Sequence, residues 1–84
     1  MKLVYFAWIR ERIGLTHEEV EPPAHVATVQ DLLNWLRSRG EKYASALEND
    51  RLVRVAVDRI HADDRSQRIA SAREIAFFPP MTGG

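Results

Sequence analysis

Two short segments near opposite ends of the chain are apolar on both sides, and they constrain the architecture more than anything between them. Read as a strand over Lys2–Ile9 (KLVYFAWI), the first places Leu3, Tyr5, Ala7 and Ile9 on one side and Val4, Phe6 and Trp8 on the other, because side chains of a strand alternate. The second, Glu74–Phe78 (EIAFF), sets Ile75 with Phe77 on one side and Ala76 with Phe78 on the other. Both are rich in aromatic and branched residues, as strands are, and Pro79-Pro80 ends the second. A single helix covers only one face of such a sheet. The other face needs the segment after Gly40, the loop before Ile69, or a partner surface; a partner around Phe78, Phe6 and Trp8 is the expectation.

Between these segments the pattern is that of a small roll. Gly14 permits a turn, and Leu15–Val20 alternates weakly before Pro22-Pro23, which suits an edge strand. Thr28 with Asp31 three residues on approximates a capping box, so a helix is expected from Val29. Val29, Leu32, Leu33 and Leu36 form its apolar stripe, and Gly40 is placed to cap its end. Residues 41–47 suit a further short helical turn. Leu52–Val57 alternates, with Val53, Val55 and Val57 on one face and Arg54 and Ala56 on the other. A hairpin at Asp58-Arg59 leads into Ile60-His61, and 62–73 is a loop anchored by Ile69. The order strand, strand, helix, strand, short strand, strand implies an α+β roll, a mixed sheet packed on one main helix. A single domain over 1–84 is expected, with 79–84 as an extended C-terminal tail.

Composition removes several kinds of function. With 84 residues the chain buries only about 60–65 % of its unfolded surface, which disfavours a deep catalytic pocket. Lys plus Arg number 12 and Asp plus Glu number 12, so no basic field gathers nucleic acid or anionic lipid. The absence of cysteine excludes a thiolate nucleophile and a Cys-ligated metal. His17, His25 and His61 lack metal-ligand spacing, and no serine sits in a nucleophile elbow. The longest apolar run, Leu3–Ile9, is far shorter than the roughly 20 residues that span a bilayer, and a cytoplasmic chain is expected.

The ending is the one segment that chemistry singles out. Pro79-Pro80 stiffens the exit from the last strand and removes two donors, so Pro79, Pro80, Met81, Thr82, Gly83 and Gly84 are expected to leave the sheet unpaired. Residues 79–84 reach roughly 20 Å at about 3.3 Å each, enough to enter another protein's active site. Two glycines pass through a narrow channel and offer a carboxylate at its end. A frayed terminus is the plain alternative.

The stretch Ala76–Gly84 (AFFPPMTGG) resembles the ending of molybdopterin synthase small subunits, and Tyr5-Phe6-Ala7 followed by Arg10-Glu11 and Gly14 is similar to their beginning. The likeness extends over the whole chain. It implies a ubiquitin-like β-grasp fold and a sulfur carrier that is no enzyme on its own and binds no cofactor. In that family an adenylating enzyme uses ATP to activate the terminal carboxylate, here Gly84, and a sulfur donor converts it to a thiocarboxylate. The tail then enters the large subunit of a heterotetrameric synthase, which holds the catalytic groups, and sulfur passes to cyclic pyranopterin monophosphate. The family usually has Gly-Asp before the last strand where this chain has Ala72-Arg73, which puts the turn type there in question. Arg10, near the expected tail exit, is a candidate cation for an acidic partner group. Carriers for thiamine or tRNA thiolation, ubiquitin-like modifiers and a non-catalytic β-grasp interaction module share parts of this pattern, the first two without the double Phe, double Pro ending.

Overall fold

The computed structural model describes residues 1–80, so the tail positions Met81, Thr82, Gly83 and Gly84 lie outside the described residues. Its first and last strands lie side by side. β1 (Lys2–Tyr5) and β5 (Glu74–Phe78) pair in parallel, with Leu3 opposite Ile75 and Tyr5 opposite Phe77. β2 (His17–Glu19) adds antiparallel to β1, β3 (Arg54–Val57) antiparallel to β5, and β4 (Ile60–His61) to β3. The resulting sheet has the order β2-β1-β5-β3-β4, the mixed β-grasp roll expected from the sequence. The doubly apolar strands occupy the centre and the polar β2 and β4 the edges, as strand composition dictates.

One helix was not foreseen. The first strand ends at Tyr5 rather than Ile9, and α1 (Ala7–Ile13) follows at once. Tyr5, Ile9 and Ile13 are spaced by four and all buried, so the run satisfies helical as well as strand periodicity. The switch is made at Ala7, whose φ is 53°, a left-handed conformation that costs a non-glycine residue about 1–2 kcal/mol. Gly14 ends α1 at φ 88°, its N–H donating to the Arg10 carbonyl. Trp8 and Arg10 are therefore helix residues, a correction to their expected place on the first strand.

α2 (Val29–Ser38) begins as the pattern required. The Thr28 hydroxyl accepts from the Asp31 N–H at 3.1 Å and the Asp31 carboxylate accepts from the Thr28 N–H at 3.2 Å. Val29, Leu32, Leu33 and Leu36 are fully buried against the sheet's inner residues Leu3, Tyr5, Val55, Ile75 and Phe77. Gly40 does not cap α2 in a left-handed conformation. Arg39 occupies that end, and Gly40, at φ 158°, opens α3 (Glu41–Ala46), which packs on α1 and α2 and not on the second face of the sheet. The strand expected from Leu52 starts at Arg54, after a short 3-10 turn over Asp50–Leu52. Ile69 is buried, anchoring the 62–73 loop as expected.

The β3–β4 turn has both central residues at positive φ, Asp58 at 49° and Arg59 at 71°, the type I′ geometry that matches strand twist. The Asp58 carboxylate also accepts from the N–H groups of Arg73 and Glu74, each at 2.9 Å, and these backbone bonds, Glu74's foremost, hold its pKa below the usual value. Neither Ala72 nor Arg73 is at positive φ, so that turn needs no glycine. Arg59→Gly is expected to raise stability by about 0.5–1 kcal/mol in urea unfolding, because glycine relieves the left-handed strain by more than it adds unfolded-state entropy.

A polar node closes the helical side. The Glu18 carboxylate accepts from the Tyr5 hydroxyl at 2.8 Å, the Tyr43 hydroxyl at 2.6 Å and Arg39 at 3.0 Å, joining β1, β2, α3 and the end of α2. Burial opposes the charge on Glu18, but the bonds from Tyr43, Tyr5 and Arg39 outweigh it and its pKa falls below the ordinary 4.5. Burial and the Glu18 anion push the Tyr5 and Tyr43 phenols up. A depressed carboxyl pKa stabilises the fold above its unfolded value and loses that contribution as pH drops through the folded value. Glu18→Gln is therefore expected to be less stable than wild type at pH 7, with the difference shrinking in urea titrations as pH falls below the ordinary carboxyl value of 4.5.

Candidate functional site

The buried residues among those described are apolar, with the Tyr5 hydroxyl bonded to Glu18, and no buried polar side-chain atom lacks a partner. Among the described residues no group of three or more His, Asp or Glu comes together to hold a metal.

The outward face of the sheet is ordered in rows by strand register. A central row runs His17, Val4, Ala76, Ala56, His61, since Val4 pairs with His17 and Ala76, and Ala56 with Ala76 and His61. Val4, Ala76 and Ala56 are half-buried, leaving a shallow apolar strip flanked by imidazoles. Toward the end of β5 the next row holds Phe78 opposite Arg54. The Phe78 ring meets the His61 ring at a centroid distance of 5.8 Å, and His61 also reaches Asp63 at 3.5 Å. On the reverse side Phe77 is fully buried and stacks on Tyr5 at 5.6 Å, so consecutive phenylalanines serve opposite faces. At the other end the row is charged, Lys2 lying between Glu19 and Glu74.

Two further observations concern the tail's root. The Phe6 N–H donates to the Phe77 carbonyl at 3.0 Å, extending the β1–β5 pairing past Tyr5, while the Phe6 side chain is 46 % exposed. On the other side of β5, the turn over Asp50–Leu52 that leads into β3 is braced by an Arg37–Asp50 ion pair and by Arg65, which donates to the carbonyls of Asp50 and Val53 at 3.1 and 2.7 Å. Pro79 and Pro80 thus leave from a root held on both sides. They are half-buried and lie outside any strand.

The structure brings Phe78 and Phe6 to the outward side at the tail's root, as expected from sequence. Trp8 is not on this face. It is half-buried against the core on α1, with the Arg12 guanidinium 4.9 Å from its ring centroid. Arg10 is exposed on α1, one helical turn beyond Phe6, with its N–H directed at the Phe6 carbonyl. Sequence reasoning passed over Arg54, Ala56 and His61 as site residues. Alternation had set Arg54 and Ala56 on the second face, but only the β3–β5 register brings them beside Phe78 and Ala76.

Comparison with known proteins agrees with the fold. Over 84 residues the chain is 32 % identical to the molybdopterin synthase sulfur carrier subunit of Escherichia coli K12, covering 100 % of this chain and 99 % of that protein. It is 36 % identical to the protein of the same name from Haemophilus influenzae, with the same coverage. The crystal structure of small archaeal modifier protein 1 from Haloferax volcanii superposes with a TM-score of 0.72 at 27 % identity, covering 96 % of this chain and 97 % of that one. Residues 3–84 match the ThiS family, and with relatives aligned from end to end and the β-grasp sheet in place, the chain belongs to that family.

Proposed function

We propose that this chain is the sulfur carrier subunit of a molybdopterin synthase. What supports the reading most is one coincidence: the family match runs through Gly84, and the only outward apolar strip described here converges on β5, the strand that feeds that tail. The Gly84 carboxylate, activated at the expense of ATP by an adenylating enzyme, becomes an acyl-adenylate with loss of pyrophosphate. Sulfide-level sulfur (HS−) supplied by a donor protein then attacks the carbonyl carbon, the bond to the phosphate oxygen breaks, AMP departs with the electron pair, and a thiocarboxylate remains. A carboxylate is a poor acyl donor, adenylation supplies a good leaving group, and the thioacid product is an ionised nucleophile at neutral pH. The chain itself holds no cofactor in this scheme.

The carrier's own residues do two things. The strip of Val4, Ala76, Ala56 and Phe78, with Phe6 and Arg54 at its end and Arg10 beyond, docks on the large subunit. Pro79, Pro80, Met81, Thr82 and Gly83 then deliver Gly84 into that subunit's active site, where the catalytic groups reside and cyclic pyranopterin monophosphate receives sulfur. Such a synthase is a cytoplasmic heterotetramer. The Haloferax relative's name favours one further reading, a modifier joined to protein amines, which differs only in the acceptor of the activated carboxyl.

Two experiments test this. With activating enzyme, ATP and sulfide, intact mass is expected to show one oxygen of wild type replaced by sulfur, and Gly84 deletion or a one-residue extension is expected to abolish it. An added residue moves the reactive carbon by about 3.5 Å, far outside the tolerance of acyl transfer. Equal pterin sulfuration by all three proteins defeats the carrier reading, and amide-linked products without thiocarboxylate favour the modifier. In the second experiment Phe78→Asp is expected to stay folded yet bind the large subunit about tenfold or more weakly, since docking would bury an unpaired charge. Phe77→Asp, in the core, is expected not to fold, which circular dichroism distinguishes.

A further inference from the structure

The corner of the sheet beside Phe78 is not flat. Between the turn over Asp50–Leu52, the start of β3 and the segment that follows β4 lies a cleft of about 280 Å³, walled by Arg51, Arg54 and Arg65 together with Asp50 and Asp63. Asp50 is already paired with Arg37, which stands outside the cleft, and Asp63 reaches His61 at 3.5 Å. Among the described residues no carboxylate lies within ion-pair distance of Arg51, Arg54 or Arg65. The cleft is therefore positive in a chain whose formal net charge is zero. That its cations are arginines follows from a composition of ten to two and carries nothing; how they are held and what they border does.

Arg65 is fixed in place. Its Nη2 donates to the carbonyls of Asp50 and Val53 at 3.1 and 2.7 Å, and among the described residues its Nη1 and Nε make no bond. A guanidinium anchored by one nitrogen loses little freedom when the others meet an anion. Arg54 lies opposite Phe78 in the β3–β5 register, on the outward side, and is exposed. A partner seated on Phe78 thus covers Arg54 as well. Withdrawing a guanidinium from water is unfavourable unless an anion meets it, so that partner has to bring negative charge to this corner.

We propose that the cleft receives an aspartate or glutamate side chain of the large subunit, clasped between Arg54 and Arg65 as the apolar strip docks. This rests on the carrier reading and adds to it the chemistry of the partner's surface. An apolar strip alone fixes neither the register nor the rotation of two docked surfaces, because hydrophobic burial is non-directional. A carboxylate held to one side of Phe78 by charge-assisted hydrogen bonds fixes both, and with them the direction in which Pro79-Pro80 leaves the sheet. Arg51 adds to the field that draws the acid in.

For the test, the full chain carrying Arg54→Lys is bound to the large subunit and treated with a carbodiimide, which joins an amine to a carboxylate in contact with it, and the products are peptide-mapped. A cross-link is expected between position 54 and an Asp or Glu of the large subunit, whereas Arg59→Lys, in the turn at the far end of β3, is expected to give none to that subunit. Alongside, binding is measured at about 0.05 and 0.3 M salt. Arg54→Met, which keeps the length of the side chain and loses its charge, is expected to bind about tenfold more weakly at the lower salt and to lose most of the salt dependence, which Arg54→Lys keeps. Circular dichroism checks the folding of each variant. No cross-link at position 54, one to the chain's own carboxylates or to a second copy, or binding by Arg54→Met as tight and as salt-sensitive as wild type overturns the inference. Phe78→Asp separates the two failures. If it weakens binding while Arg54→Met does not, the strip stands and the cleft takes no partner carboxylate; if neither weakens it, the docking reading fails as well.

Discussion

The parallel pairing of β1 with β5 is the constraint on which the remaining structure depends. Parallel neighbours cannot be joined by a tight turn, so everything between Tyr5 and Glu74 is in effect one long crossover that must cover the sheet it returns to. That requirement places α2 across the inner face and leaves β2 and β4 as polar edges. Closing so long a loop costs conformational entropy that grows only with the logarithm of its length, and the central strands offset it by burying Leu3, Tyr5, Ile75 and Phe77 completely. The same pairing fixes where the tail begins. The bond from Phe6 to Phe77 sits at the last rung, so the root of the tail belongs to an interior pair of strands of the sheet.

How far the sequence disclosed this depends on how many residues each signal spans. α2 was legible because its stripe runs from Val29 to Leu36 and its capping box is a local contact. β3 was legible because valine alternates at 53, 55 and 57, and β5 because its short run of branched and aromatic residues stops at Pro79-Pro80. α1 was not, since Tyr5, Ile9 and Ile13 obey a period of four inside a run that also alternates, and the break falls on Ala7, a residue with no preference for the left-handed conformation it adopts. The error displaced Trp8 and Arg10 from the expected face. Gly40 lies between two helices and could close one or open the next; its extended φ shows that it opens α3. Of the outward face, Phe6 and Phe78 could be read from their own strands. Arg54, Ala56 and His61 join them only through register between strands far apart in sequence, which periodicity does not encode.

Under the proposed role, stability and recognition fall to opposite faces of the same central strands. Phe77 fills the core against Tyr5 while Phe78, the next residue, rests against His61 on the outside. Substitutions on the outward side therefore leave the core filled, and those on the inward side empty it. The helical side is tied by the Glu18 node and by Arg37 and Arg65, which steady the turn next to the tail.

Under the proposed carrier role, the tail's length and stiffness make the docking face a catalytic asset. Once the outward strip is seated, Gly84 is confined within about 20 Å of Phe78, a hemisphere in which one molecule corresponds to an effective concentration on the order of 0.1 M. Free carrier at micromolar concentration would reach the same active site several orders of magnitude less often. Pro79-Pro80 strengthens the effect by removing conformations in which the chain folds back over the strip, so less entropy is lost when the glycines enter a channel. Strip and tail thus act as one unit: docking affinity sets how often the carboxyl is presented, and the stiff root sets in which direction.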